Sequence, residues 1–158
     1  MRLMFQYLVL MGCIGVLSAC DQGQSAPTCG GGVYDSHDGI CWQSPPATGT
    51  MQWQAAIDYC SNLELGGYSD WVLPSHTDWA NLLGGCASGV LDGTSAGNCT
   101  SCWQSAQCDL LFPGDTVEYW SSSLAVGYPE NAYSFIIGQG WSSRPPITEA
   151  HYVRCIRK

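Results

Sequence analysis

Apolar residues recur every three or four positions in two segments near the middle of the chain, the spacing of one face of an amphipathic helix. In the first segment the residues on this face are Trp53, Ala56, Ile57, Cys60 and Leu63. Thr50 stands before them as a candidate N-cap, and Gly66-Gly67 follow as a stop. The pattern predicts a first helix between these two boundaries.

The second segment carries a clearer start. Ser75 is followed three residues later by Asp78, as in a capping box, and Pro74 holds the preceding residue in extended geometry. Trp79, Leu82 and Leu83 supply the apolar face before Gly84-Gly85. A second helix is therefore expected to begin at Ser75.

The periodicity then stops, and strand-like runs return only near the end of the chain. Residues 86–115 are rich in Gly, Ser, Thr and Asn and contain four cysteines, which indicates a long loop. Three strand-like runs follow at 117–123, 132–137 and 151–157, with turn-rich segments between them. This order predicts an α+β domain with two helices, a small antiparallel sheet and long loops.

The first residues have the pattern of an export signal. One positive charge precedes a short apolar run in residues 1–19, and Leu17-Ser18-Ala19-Cys20 resembles the lipobox of bacterial lipoproteins. The resemblance implies cleavage before Cys20 and a lipid on its thiol; the alternative is an ordinary cleaved signal. Residues 20–28 would be the lipidated cysteine and a polar tether, and residues 29–158 the domain. We expect lipid anchoring in the bacterial cell envelope, facing the periplasm or the cell surface.

Eight cysteines remain after Cys13 and Cys20 are set aside. They are Cys29, Cys41, Cys60, Cys86, Cys99, Cys102, Cys108 and Cys155. An even number in an exported chain predicts four disulfides. The alternative is a zinc site, because Cys99 and Cys102 have ligand spacing and Cys86 and Cys108 flank them.

The acidic composition narrows the range of partners. The formal charge is −8, and removing residues 1–19 with Arg2 makes it −9. Such a surface repels phosphate backbones, so nucleic acid is not expected as a partner. Oxygen ligands for calcium are available, but their spacing selects no site and no cofactor is expected. The carboxylates considered are Asp92, Asp109, Asp115, Glu118 and Glu130.

Three blocks resemble the Lcl C-terminal domain family. They are "WQAAIDYCSNLELGGYSDWVLPS", "YWSSS" and "YVRCIRK", spread over about residues 41–158. Val72 departs from the pattern, since the family usually has arginine there. The layout is similar to C-type-lectin-like domains, and this implies a disulfide between Cys60 on the first helix and Cys155 in the last strand. We also expect Cys29–Cys41 and two bonds among the other four cysteines, and we expect Trp71 and Trp120 to be architectural.

The resemblance implies a binding module that recognises a glycan or an envelope or surface protein. The candidate ligand-binding residues are Tyr128, Glu130, Asn131, Trp141 and Arg144. Residues 129–131, "PEN", resemble the Glu-Pro-Asn triplet of calcium-dependent lectins in changed order, without the partner Trp-Asn-Asp sequence. The alternatives are a structural envelope lipoprotein and an enzyme related to formylglycine-generating enzymes. We expect no enzyme, because no residue matches their reactive cysteines and no catalytic sequence pattern is present.

Overall fold

The computed structural model describes residues 28–91, 93 and 95–158 of the chain. The predicted export signal, Cys20 and Asp92 lie outside these residues. The described elements are β1 (Gly32–Asp35), β2 (Ile40–Gln43), β3 (Thr50–Gln52), α1 (Trp53–Ser61), α2 (His76–Leu83), α3 (Ser88–Leu91), a 3₁₀ turn (Cys102–Gln104), α4 (Ala106–Leu111), β4 (Glu118–Ala125), β5 (Tyr128–Ile136), β6 (Trp141–Ser143), β7 (Ala150–Tyr152) and β8 (Ile156–Arg157). The predicted α+β class is confirmed. No helix among the described residues has the length and apolarity to cross a membrane.

The strands form two sheets. One has the order β1-β2-β8 and the other β3-β7-β4-β5-β6. All pairs are antiparallel except β4 with β7, which meet in parallel at Tyr119 and Tyr152. The prediction of a single antiparallel sheet is therefore wrong. A second sheet forms because β1 and β2 make a hairpin that pairs with β8, and the larger sheet contains one parallel pair.

The second helix begins as predicted. Ser75 Oγ accepts the Asp78 backbone N–H, and the Asp78 carboxylate accepts the Ser75 backbone N–H in return. The first helix has the predicted face, with Ala56 and Cys60 buried, but its N-cap is Gln52. Thr50 is instead paired with Tyr152 in β3, so a strand takes up the residues before the helix.

Two predicted segments end differently because distant strands pair with them. The run 151–157 is split into β7 and β8, which belong to different sheets. In the residues that join these two strands, Val153 O accepts the Ala47 N–H and Cys155 O accepts the Gln43 N–H. Residues 129–131 are not a turn. They belong to the first part of β5, where Glu130 O accepts the Ile147 N–H and Ala132 N–H donates to Pro145 O.

Four disulfides join the described cysteines. Cys60–Cys155 and Cys29–Cys41 are the pairs expected, and the remaining four form Cys86–Cys99 and Cys102–Cys108. The structure therefore contradicts the alternative of a zinc site, because all four of these cysteines are in disulfides. The loop they staple is also more ordered than expected, since it contains α3, the 3₁₀ turn and α4.

Buried tryptophans connect the helices to the sheets. Trp71 and Trp120 are buried, as expected for architectural residues, and lie in one apolar cluster with the Cys60–Cys155 disulfide. Trp79 lies in the other, where it contacts Trp42 and stacks on Tyr119. The indole N–H of Trp120 donates to Met51 O, and that of Trp79 donates to Trp120 O. These bonds satisfy buried donors while the rings fill the core.

Candidate binding surfaces

The five predicted ligand-binding residues fall at two places. Tyr128, Glu130 and Asn131 begin β5, and Arg144 lies beside them. Trp141 pairs with Ile136 at the other end of the same strand. Eight residue steps along the strand separate Tyr128 from Ile136, or roughly 26 Å at the usual rise per residue. One ligand of ordinary size therefore cannot contact Tyr128 and Trp141 together.

The first place is the tip of the β4–β5 hairpin, where the chain turns through Val126 and Gly127. The Arg144 guanidinium lies 4.9 Å from the centre of the Tyr128 ring, a cation–π distance. The Asn131 side-chain amide donates to Arg144 O at 2.7 Å. Glu130 is exposed beside them. These contacts hold the arginine over the tyrosine ring at the protein surface.

The tip also exposes Leu124 and Val126, two apolar side chains that sequence analysis did not select, beside the selected Tyr128. Leu124 is 45% exposed, Val126 58% and Tyr128 54%. Gly127 occupies the turn with φ of 78°, a conformation that favours glycine. We name Leu124, Val126, Tyr128 and Arg144 the hairpin tip. Leu124 and Tyr128 come from the ends of β4 and β5, Val126 from the turn between them and Arg144 from the residue after β6, and sequence analysis selected only Tyr128 and Arg144.

The second place lies where the stapled loop crosses the end of the β5–β6 hairpin. Asn98 pairs with Trp141 in an antiparallel bridge, and Cys99 N–H donates to Gly140 O. Trp103 follows, 64% exposed, with its indole N–H donating to Gly138 O at 3.0 Å. Sequence analysis missed Trp103; its position directly after Cys102 in a loop fixed by disulfides was the available indication.

The carboxylates considered for calcium are not gathered into one site. Asp115 accepts from Arg154 and Tyr119, and Glu118 accepts from Ser134 and Ser143 and faces His151 at 3.4 Å. Asp109 and Glu130 are exposed at separate places. Among the described residues, no three His, Cys, Asp or Glu side chains converge in a way that could hold a metal ion.

Asp115, Arg154 and Tyr119 form a buried network below the sheet. Arg154 Nη2 lies 2.9 Å from Asp115 Oδ2, and the Tyr119 hydroxyl donates to the same oxygen at 2.7 Å. Arg154 also donates to Gln43 O, and its guanidinium covers the Phe112 ring. Burial raises the pKa of Tyr119 well above its usual range, with Arg154 opposing the shift and Asp115 adding to it. These contacts connect β4, the C-terminal segment and the loop, which is a structural role.

Histidine and serine do meet in the structure, but below its surface. His76 Nε2 lies 3.1 Å from Ser142 Oγ, and both residues are buried. Elsewhere one oxygen of the Glu118 carboxylate accepts from Ser134 Oγ, and the other lies 3.4 Å from His151 Nδ1. Each described cysteine is in a disulfide, so none of them is a free thiol.

A cavity of about 310 Å³ lies between α1 and the start of α2. Ile57, Val72 and Leu73 form its apolar wall, and Asp78 at its edge is ion-paired with Lys158 at 2.8 Å. Val72, at the position where the family usually has arginine, bonds through its backbone to Ile156. The nearby Asp70 accepts from Arg157 at 2.6 Å, so this aspartate joins the loop to β8.

The family model described as the Lcl C-terminal domain matches residues 31–157. The chain belongs to the Lcl C-terminal domain family. The match begins at residue 31, about ten residues before the blocks that carry the resemblance in the sequence, so it includes the β1–β2 hairpin. A comparison with curated proteins found no match.

Proposed function

We propose that this Lcl C-terminal domain is an extracytoplasmic binding module, held to the membrane by a lipid on Cys20. Four disulfides support export to an oxidising compartment. The lipid anchor rests on the sequence before residue 28. The partner belongs to the envelope or to a cell surface, and of the two classes considered, protein and glycan, the hairpin tip favours a protein.

The layout supports this proposal through its resemblance to C-type-lectin-like domains. Cys60 on α1 bonds Cys155 near the end of the chain, the arrangement that the resemblance implies. Long stapled segments lie outside the two sheets, and rigid segments lose less conformational entropy when they bind. We therefore propose a lectin-like domain that recognises its partner through pre-organised surface residues.

The exposed hairpin tip is the observation that carries the proposal of a protein partner. Leu124, Val126 and Tyr128 expose apolar surface on one projecting hairpin, and Arg144 adds a cation held on the tyrosine ring. Contiguous exposed apolar surface marks interaction sites, and tyrosine and arginine are enriched in protein interfaces. Glu130 on the same hairpin could bond a sugar hydroxyl, but the exposed side chains of Leu124 and Val126 offer no hydrogen-bonding group, and this favours a protein partner.

Photo-crosslinking in cells tests the hairpin tip. A photoreactive phenylalanine derivative replaces Val126 in the full chain, and the matched control carries it at Leu110, which is 82% exposed on α4. We expect a discrete crosslinked species from position 126 and none of that size from position 110. The species should disappear when Tyr128→Ala and Arg144→Ala are added, because they remove the ring and its cation.

The same crosslinked species from both positions, or none from position 126, would contradict the proposed contact surface. Identification of the crosslinked species by mass spectrometry then shows whether it is an envelope protein. A species formed only with a second copy of this chain would replace the proposed partner by self-association.

A further inference from the structure

Trp103 is an exposed aromatic side chain held in a fixed orientation. Its indole N–H donates to Gly138 O, while 64% of the residue is open to solvent. A tryptophan used for folding buries its ring faces, as Trp79 and Trp120 do. Here the hydrogen bond fixes the ring although little of its apolar surface is covered, and this leaves a flat surface available to a ligand.

The backbone below Trp103 is anchored on both sides. Cys102 is buried, bonds Cys108 and donates its N–H to Ile137 O. On the C-terminal side the Ser105 hydroxyl donates to Leu82 O at 3.1 Å, and before Cys102 the loop lies so close to Gly140 that a Cβ there would come within 2.5 Å of Cys99 O. The indole is therefore pre-organised, which reduces the entropy that a ligand would have to remove.

Exposed amide side chains lie in the loop that carries Trp103 and in the hairpin end that it contacts. Asn98, Gln104 and Gln139 are exposed around the same hairpin end, and Trp141 lies there as a second exposed ring. Gln104 Oε1 accepts from Ser101 Oγ, which leaves its amide N–H groups for other acceptors. Aromatic surface with amide donors and acceptors beside it suits a ligand that has both C–H faces and hydroxyl groups, as sugar rings have.

The distribution of charge selects among sugars. Of the five basic residues, Arg2 lies outside the described part of the chain. Arg154 is buried on Asp115, Arg157 and Lys158 are paired with Asp70 and Asp78, and Arg144 lies on Tyr128. Each lysine and arginine among the described residues therefore already has a partner and is not left to bind a sulfate or uronate group, and the acidic chain as a whole repels anions.

We propose that Trp103 is the stacking platform of a saccharide-binding site for neutral sugars. Trp141 provides a second ring surface, and Asn98, Gln104 and Gln139 hydrogen-bond the hydroxyl groups. This site lies at the end of β5 opposite to the hairpin tip, so the two sites bind independently. It adds a glycan ligand to the protein partner proposed for the tip.

Calorimetric titration of the full chain tests the site. The protein is kept in a detergent without a sugar headgroup, because such headgroups would compete. The probes are the neutral tetrasaccharides of cellulose, chitin and mannan, with a heparin tetrasaccharide as the anionic comparison. We expect binding of at least one neutral probe, and Trp103→Ala should weaken it about tenfold or more, the scale of a truncated anchor residue.

Two variants separate this site from folding and from the hairpin tip. Trp103→Phe keeps an aromatic face and should retain part of the affinity, whereas Tyr128→Ala should bind sugar as the unaltered chain does. Binding of none of the neutral probes overturns the proposal, and so does binding that survives Trp103→Ala or that prefers heparin. The crosslinking experiment at Val126 is unaffected by either result, so failure of one proposal is distinguishable from failure of the other.

Discussion

Trp79 and Trp103 use their indole N–H groups in the same way and their ring faces in opposite ways. Each donates to a backbone carbonyl, Trp79 to Trp120 O at 3.1 Å and Trp103 to Gly138 O at 3.0 Å. Trp79 is fully buried and stacks on Tyr119, whereas Trp103 is mostly exposed. The hydrogen bond sets the orientation in both regions, and what covers the ring decides whether its apolar surface stabilises the fold or remains for a ligand.

The disulfides of the two regions differ in the length of chain that each one closes. Cys60–Cys155 joins residues 95 positions apart and is buried in the core. In the loop that carries Trp103, Cys86–Cys99 and Cys102–Cys108 span 13 and 6 positions. A long-range bond restricts the whole unfolded chain, and a short one mainly fixes a local conformation.

Removing one disulfide from each region should give the largest contrast. Cys60→Ala with Cys155→Ala should lower the free energy of unfolding by about 4 to 5 kcal/mol in the chain-entropy estimate. Cys102→Ala with Cys108→Ala should lower it by about 2 kcal/mol, because the closed loop is much shorter. Denaturant titration followed by circular dichroism measures both. Equal losses would mean that the local bond stabilises the whole domain.

Truncating one tryptophan from each region sharpens the comparison of their rings. Trp79→Ala should cost about 3 to 5 kcal/mol, since it leaves a cavity between Trp42 and Tyr119. Trp103→Ala should change stability by no more than about 0.5 kcal/mol, as exposed substitutions usually do. Thermal and denaturant unfolding of both variants measures the difference. A large loss from Trp103→Ala would make it a structural residue and remove its availability as a ligand platform.

Local patterns predicted what depends on local contacts. The α2 start follows from Ser75 and Asp78, three residues apart, and the apolar face of α1 follows from helical spacing. The β1–β2 hairpin was also accessible, because Asp38-Gly39 stands between two apolar runs, a common turn sequence. Sequence analysis did not use it. The resemblance to the family supplied the Cys60–Cys155 pair that spacing alone does not select.

Pairing with distant residues accounts for the errors. Thr50 joins β3 because Tyr152, about a hundred residues later, pairs with it, and Glu130 joins a strand because Ile147 bonds to its carbonyl. Pairing with distant residues also divides the candidate ligand-binding residues between two places. Tyr128 and Trp141 are both aromatic residues of segments predicted as turn-rich loops, but Tyr128 begins β5 and Trp141 pairs with Ile136 at its other end. Trp103 gained its significance only through the contact with Gly138, 35 positions later.

Alkaline pH should lower the stability of the folded chain through the buried Tyr119, an effect smaller than those of the substitutions above. Burial raises the folded-state pKa of Tyr119 above its ordinary value near 10, so above pH 10 the unfolded chain loses this proton first. The folded state then binds more protons than the unfolded state, and stability falls as pH rises, by up to about 1.4 kcal/mol per pH unit.

Tyr119→Phe should remove this slope between pH 10 and 11, although it also removes bonds to Asp115 and Arg154 at every pH. The control is Trp103→Phe, at an exposed ring that carries no ionisable group, and its slope should equal that of the unaltered chain. Urea unfolding at half-unit pH steps measures the three slopes. Identical slopes for the unaltered chain and Tyr119→Phe would show that solvent reaches the Tyr119 hydroxyl. The difference in solvent access between the aromatic core and the loop would then be smaller than the exposures of Trp79 and Trp103 indicate.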